Sequence, residues 1–444
     1  MNRGKKLAMM ASTVGLSAIM LAVGAVTGPI NWSAPTNVLS RSVAAPLAEV
    51  LSTSDATSNI RALQARLKIL PNDWSAWSNL GALYTAQARL TADPSYYTRA
   101  DGAFAMSLKV RPQDNASALT GKATLAASRH DFPDALTLTL ASQKLNSYNA
   151  TNLGVMFDSL GELGRYPEAF AVLQRMVDLK PGVASYARVS YAYELRGDNV
   201  GAQFALSRAL ETAQSPADTA FCRQFLGELA FNSGDLSTAQ RYFTQGLRDD
   251  PAYVPLLAGR ARVEAARGQT KDALRDWAEV TNRLPQTTYL IEYADLLASL
   301  GRNGEAKVQY AIVDATAKLF RARGANVDLE LSLFDADHAR GAEAVATAKA
   351  EEARRQSIQV EDAYAWSLHA VGQDKAALVH AKAAAHLGMR NALFFYHRGI
   401  IEKSLDQRTA AVASLTQALK INPYFSPLQA PLAKKALSQL EGGR

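Results

Sequence analysis

The chain has a single cysteine, Cys222, among 444 residues. That excludes an intramolecular disulfide and any zinc site built on two cysteine pairs. Cys222 stands beside Phe221 and Phe225, the setting of a small buried hydrophobe and not of a reactive thiol. The phosphate-binding loop Gly-x-x-x-x-Gly-Lys-Ser/Thr, the Gly-x-Gly-x-x-Gly turn, the Gly-x-Ser-x-Gly elbow and the His-Glu-x-x-His helix are all missing. The histidines are few, and no two are spaced i, i+4. His380 and His386, six apart, point to different faces of a helix and would not share a metal. The expectation is a chain with no catalytic residue, cofactor, metal or evident small-molecule substrate, and no enzyme. An excess of positive charge is also largely missing. Of the net +7, three units come from Arg3, Lys5 and Lys6, leaving 45 basic against 41 acidic side chains. No basic stripe alternates with aromatics, so a nucleic-acid partner is not expected.

Charge is absent altogether between Lys6 and Arg41, and 15 of the 20 residues from Leu7 to Val26 are apolar. As a helix this run would be about 30 Å long, the thickness of a hydrocarbon core. Two readings stand. Val23-Gly24-Ala25 fits the small-residue site of a cleaved signal peptide. An uncleaved transmembrane helix would use the same run, with the basic residues inside and Trp32 at the far interface. Either one places the rest of the chain in the cell envelope, on the non-cytoplasmic side. The expected organisation is signal or membrane anchor at 1–26, a Ser/Thr/Ala/Pro-rich spacer at 27–60, a repeat array at 61–425, and a capping helix with tail at 426–444.

The array announces itself through ten alanines: Ala100, Ala135, Ala169, Ala202, Ala239, Ala273, Ala306, Ala344, Ala377 and Ala411, spaced 33 to 38 residues apart. Twelve residues before nine of them stand Ala123, Phe157, Ser190, Gly227, Ala261, Ala294, Ser332, Ala365 and Gly399, and Gly81 takes that place in the first unit. A crossing of two close helices needs small residues on both sides. Four residues after the alanine comes a larger apolar group in many units, such as Phe104, Leu173, Phe243, Trp277, Tyr310 and Leu415, on the same helical face. Glycines such as Gly164, Gly197, Gly234, Gly268 and Gly372 mark the turns, and Pro112, Pro181, Pro251, Pro285 and Pro423 stop the second helices. A period near 34 residues is the mark of a helix-turn-helix solenoid. We therefore expect an all-α fold, an α-solenoid of about ten such repeats.

From Trp77-Ser-Asn-Leu80-Gly81-Ala-Leu-Tyr84, through Gly234-Asp-Leu236 to Ala239, Phe243 and Pro251, to Gly399, Ala411, Leu415, Ala418 and Pro423, the chain resembles the tetratricopeptide repeat (TPR) family over roughly residues 72 to 425. Three units depart from the pattern: the first with extra residues at Arg89–Ser95, the third with Phe157 at a small-residue position, and the eighth, Val327–Gln356, with a blurred turn. The resemblance implies a right-handed superhelix whose first helices line a concave groove for protein or peptide partners. Carried over residue by residue, it assigns the groove to Tyr191, Glu194, Glu228, Phe231, Arg262, Asp295, Trp366, His369, Ile400 and Lys403. The basic and asparagine clamp for a chaperone's terminal carboxylate is not matched. The expected function is an exported or membrane-tethered scaffold for protein–protein interaction in envelope complex assembly or quality control. The alternative is a carbohydrate- or polymer-handling module of an export system, which a balance of 45 basic to 41 acidic side chains does not favour.

Overall fold

The structure, a computed structural model, describes residues 53–442. The signal or anchor run and most of the expected spacer lie outside the described residues. Among the described residues no helix is long and apolar enough to cross a membrane.

Helix α1 (Thr53–Ile69) begins within the stretch expected as spacer. Ten successive helix pairs follow. They are α2 (Trp74–Thr91) with α3 (Ser95–Val110), α4 (Ala116–Ser128) with α5 (Phe132–Leu145), α6 (Ala150–Glu162) with α7 (Tyr166–Leu179), and α8 (Val183–Leu195) with α9 (Asn199–Glu211). Then come α10 (Pro216–Asn232) with α11 (Leu236–Asp249), α12 (Val254–Ala266) with α13 (Thr270–Arg283), and α14 (Thr287–Ser299) with α15 (Asn303–Ala322). The last are α16 (Asp328–Asp337) with α17 (Gly341–Glu352), α18 (Ile358–Ala370) with α19 (Asp374–Ala384), and α20 (Ala392–Ser404) with α21 (Arg408–Ile421), before a closing helix α22 (Gln429–Gly442). The fold is an all-α solenoid of helical repeats, its helices packed chiefly on their sequence neighbours. By contacts the described chain divides into two units, an N-terminal one of 53–161 and 165–222, and a C-terminal one of 162–164 and 223–442.

Each of the ten alanines falls on the second helix of its pair, and none is more than 2% exposed. The opposing small residues fall on the first helices and are likewise buried. The large residue four positions after the alanine fills the space that the small residue leaves. A Cβ added at Gly81 would come within 3 Å of the Phe104 ring, as would one at Gly121 on the next first helix. Gly227 and Gly259 enclose Phe243 in the same way. One aromatic ring thus bonds a repeat internally and to its successor, which is how a solenoid propagates its core. In the third unit the volumes are exchanged: the bulk lies in Phe157, fully buried on the first helix, and the smaller Leu173 takes the second-helix position.

The turns are equally regular. Gly164, Gly197, Gly234, Gly268, Gly301 and Gly372 take φ of 73° to 79°, the left-handed conformation that glycine adopts without penalty. After Gly197 and Gly234, Asp198 and Asp235 cap the next helix by accepting from the N–H of Gly201 and Thr238 at 2.8 and 3.0 Å. The blurred turn of the eighth unit has a simple cause, because its left-handed position is held by Ala339 at φ 59°. The extra residues of the first unit lengthen α2 to Thr91 instead of forming a separate loop.

Two substitutions test this account of the packing. Gly259→Ala forces a methyl into the Phe243 ring and should lower stability by about 1–3 kcal/mol. Ala339→Gly relieves a left-handed alanine and should raise it by about 1 kcal/mol. Thermal melts followed by circular dichroism would check both, and opposite signs would overturn the assignment of these positions.

Candidate partner-binding surface

The residue directly after the small one on each first helix was expected to face a groove. In two places it meets the neighbouring first helix. In the N-terminal unit Asp158 of α6, 3% exposed, accepts from Arg188 of α8 at 2.6 and 3.0 Å. In the C-terminal unit Arg262 of α12 forks onto Glu292 of α14 at 2.5 and 2.8 Å, with Glu228 of α10 at 3.7 Å on its other side. In both forks the partners are 30 residues apart. Each joins the position after a small residue to the position two before the next one. Planar guanidinium–carboxylate pairs of this kind hold both distance and orientation.

The residues expected at the groove are placed very differently from one another. Glu228 and Asp295 are buried, and Asp295 accepts from Tyr310 Oη at 2.8 Å. Phe231 is buried, and its carbonyl accepts from Asn422 Nδ2 at 2.9 Å, across 191 residues of sequence. Arg262 is engaged by its two carboxylates. Trp366 is 3% exposed, donates from Nε1 to Asp337 Oδ1 at 2.9 Å, and stacks on His397 with centroids 4.2 Å apart. These five side chains are taken up by contacts inside the chain, because the first helices are covered on more than one side. In α14, for instance, Tyr293 is the only residue from Thr287 to Leu297 that is not buried. Tyr191, Glu194, His369, Ile400 and Lys403 are half-buried and keep part of their surface. His369 leans on Asp374 through Nδ1 at 2.5 Å, and Lys403 donates to Gln439 of α22 at 2.9 Å.

Sequence reasoning missed the partners Arg188, Glu292, Asp337 and Gln429. For the two guanidinium forks a signal was present, in opposite charges 30 residues apart at fixed offsets from the small residues. For Asp337 there was none. Its second partner, Gln429 Nε2 at 3.2 Å, is 92 residues away on α22 and fully buried. It ties the closing helix to the end of α16. The expectation for Cys222 agrees with its environment: it is wholly buried against Tyr186 and Ala209, and burial pushes its thiol up to about 12.

Burial also raises several carboxyl groups of the C-terminal unit. Asp337 is pushed up to about 8, against the hydrogen bonds from Trp366 and Gln429 that favour its charged form. Glu228 rises to about 7, its nearest charge being an Arg262 already committed to Glu292. Glu330 rises to about 7 for the same primary reason. His338, packed on Phe334 and Tyr310, is lowered to about 4 by burial. The signs follow from which state binds more protons. A carboxyl raised in the folded state holds its proton where the unfolded chain has lost it, so its stabilisation is complete below about pH 4 and is lost as pH rises through 7 to 8. His338 acts oppositely, but only below about pH 6.5, where the unfolded imidazole takes up a proton. Between pH 6.5 and 8.5 His338 no longer opposes the carboxyls, and His380, raised by its hydrogen bond with Glu361, changes in the same direction as they do. The melting temperature should fall across that window, and Asp337→Asn should flatten the fall. A melting temperature that rises with pH there would overturn the burial argument.

The tetratricopeptide repeat model matches residues 392–425, which are α20, α21 and the turn after them. Among solved structures, a tetratricopeptide repeat protein from Parabacteroides merdae is 16% identical over 58% of this chain and 98% of its own, with a TM-score of 0.36. The APC/C hetero-tetramer Cut9–Hcn1 is 14% identical over 89% of this chain and 78% of its own, with a TM-score of 0.37. Likeness at this level supports no residue-by-residue comparison. No curated protein matches the chain. The α20–α21 pair is a tetratricopeptide repeat by its own sequence, and the other helix pairs share its helix-turn-helix organisation.

Proposed function

We propose that this repeat scaffold is non-catalytic, is exported or held at a membrane by its N-terminal run, and binds protein partners in the cell envelope. The observation that carries the binding reading is the matched repeat at 392–425 within an array of the same helix pairs, an architecture that offers extended surface. The groove role then belongs to the expected side chains that retain surface: Tyr191 and Glu194 in the N-terminal unit, His369 and Lys403 in the C-terminal one. Aromatic and charged anchors of this kind suit a peptide or helix laid along repeats.

The test is crosslinking of tagged full-length protein in its native membranes, with mass spectrometry of captured species and of the intact N-terminus. We expect a few stoichiometric envelope proteins, and capture about tenfold weaker in a Tyr191→Ala/Lys403→Glu double variant whose melting is unchanged. Trp366→Ala should behave otherwise, losing about 3–5 kcal/mol of stability. Recovery of this chain alone would overturn the reading.

One observation favours the polymer-handling alternative. Arg241 and Arg248 of α11, with Arg267 after α12, line a shallow cleft with Ser237, Gln240, Thr244 and Gln245. Within the chain, Arg241 acts electrostatically on Asp235 and Arg267 donates to the Leu236 carbonyl and Ser237 Oγ. Under the protein-scaffold reading the chain passes an acidic polysaccharide column unretained at physiological salt. Salt-dependent retention that Arg241→Ala/Arg248→Ala abolishes would select the polymer instead.

A further inference from the structure

Three successive helices of the C-terminal unit bring ligand-bearing side chains to one point. Glu352 is the last residue of α17, Glu361 lies in the first turn of α18, and His380 stands in the middle of α19. Their donor atoms all lie within 4.8 Å of one another. His380 Nδ1 is 2.8 Å from Glu361 Oε2 and 3.7 Å from Glu352 Oε1. Donors bound tetrahedrally at 2.0–2.2 Å are separated by about 3.4 Å, so both distances come within a side-chain adjustment of a coordination shell. Tyr364, one turn after Glu361, packs its ring 4.5 Å from the imidazole and limits its rotation.

An ordinary ion pair does not account for the set. Among the described residues neither Glu352 nor Glu361 pairs with a lysine or arginine. Two carboxylates therefore share one imidazole, and like charges held this close favour an added cation. The three side chains remain 19–30% exposed, open enough for an ion to enter and for water to complete its shell. Two oxygens and one imidazole nitrogen suit a borderline divalent ion such as Zn2+ better than Mg2+ or Ca2+, which take oxygen ligands.

We propose that Glu352, Glu361 and His380 form a binding site for a divalent transition-metal ion. The site spans the connector between the eighth and ninth helix pairs, so a bound ion clips α17 to α18 and α19. It acts on the array as a structural staple, independently of what the scaffold binds.

The test uses full-length protein stripped with a chelator and titrated with Zn2+ by calorimetry, with Mg2+ in parallel. We expect one Zn2+ per chain, no comparable Mg2+ binding, and a rise in melting temperature of about 5 °C or more at saturating zinc. His380→Ala and Glu361→Gln should each weaken binding on the order of tenfold or more, with helicity unchanged. If either melts differently without metal, Glu352→Gln, at the most exposed of the three positions, carries the comparison. Zinc binding of unchanged affinity in these variants, equal binding of Mg2+, or no binding by the parent chain would each overturn the site.

Discussion

Every feature of this fold depends on how closely the two helices of a pair can approach. An alanine on the second helix and a small residue on the first set that distance. The volume withheld there is returned four residues on by Phe104, Phe243, Trp277 or Leu415. Because Gly121 and Gly259 also admit those rings from the following pair, the same constraint governs stacking between repeats. Phe157 and Leu173 show that the rule concerns shared volume and not residue identity, since bulk on one helix is matched by a lesser residue on the other.

This explains why so much of the fold was legible. The helix pairs, their turns and the closing helix all follow from residues that interact within about 40 positions, and such contacts leave a periodic trace in the sequence. Irregularities were legible as irregularities, though not in kind. A left-handed alanine at 339 and a lengthened α2 both read as noise around the repeat. The placement of side chains on the first helices was not legible, because it depends on what covers them. The Phe231 carbonyl is bonded by a residue 191 positions away and the Asp337 carboxyl by one 92 positions away. No period connects those pairs. The cluster of Glu352, Glu361 and His380 was hidden for a related reason, since spacing within one helix says nothing about donors drawn from three.

The buried polar contacts serve a purpose that hydrophobic packing cannot. Ten units that share the same alanine and the same crossing offer nearly equivalent partners to one another, so apolar burial alone scarcely distinguishes a correct neighbour from one displaced by a repeat. A buried charge, by contrast, is strongly penalised without its partner. Asp158 with Arg188 and Arg262 with Glu228 and Glu292 are charge contacts that occur once each. A displaced stacking would leave Arg262 or Asp158 without a counter-charge. These contacts contribute less to net stability than their geometry suggests, and more to the uniqueness of the array.

The same contacts shape what the molecule can offer a partner. Side chains that specify the order of repeats are sealed by doing so, and a first helix as covered as α14 has little left to present. The positions that the ordering contacts leave over include Tyr191, Glu194, His369 and Lys403, which are half-buried, and residues of the second helices. On α9, Val200 and Phe204 stand 81% and 55% exposed one turn apart, and on α15 Val308 and Ile312 repeat that spacing. An apolar residue that stands mostly in solvent can vary in type from repeat to repeat without disturbing the crossing. Where first helices are as covered as α14, diversity of surface can accumulate on the faces that the crossing does not constrain.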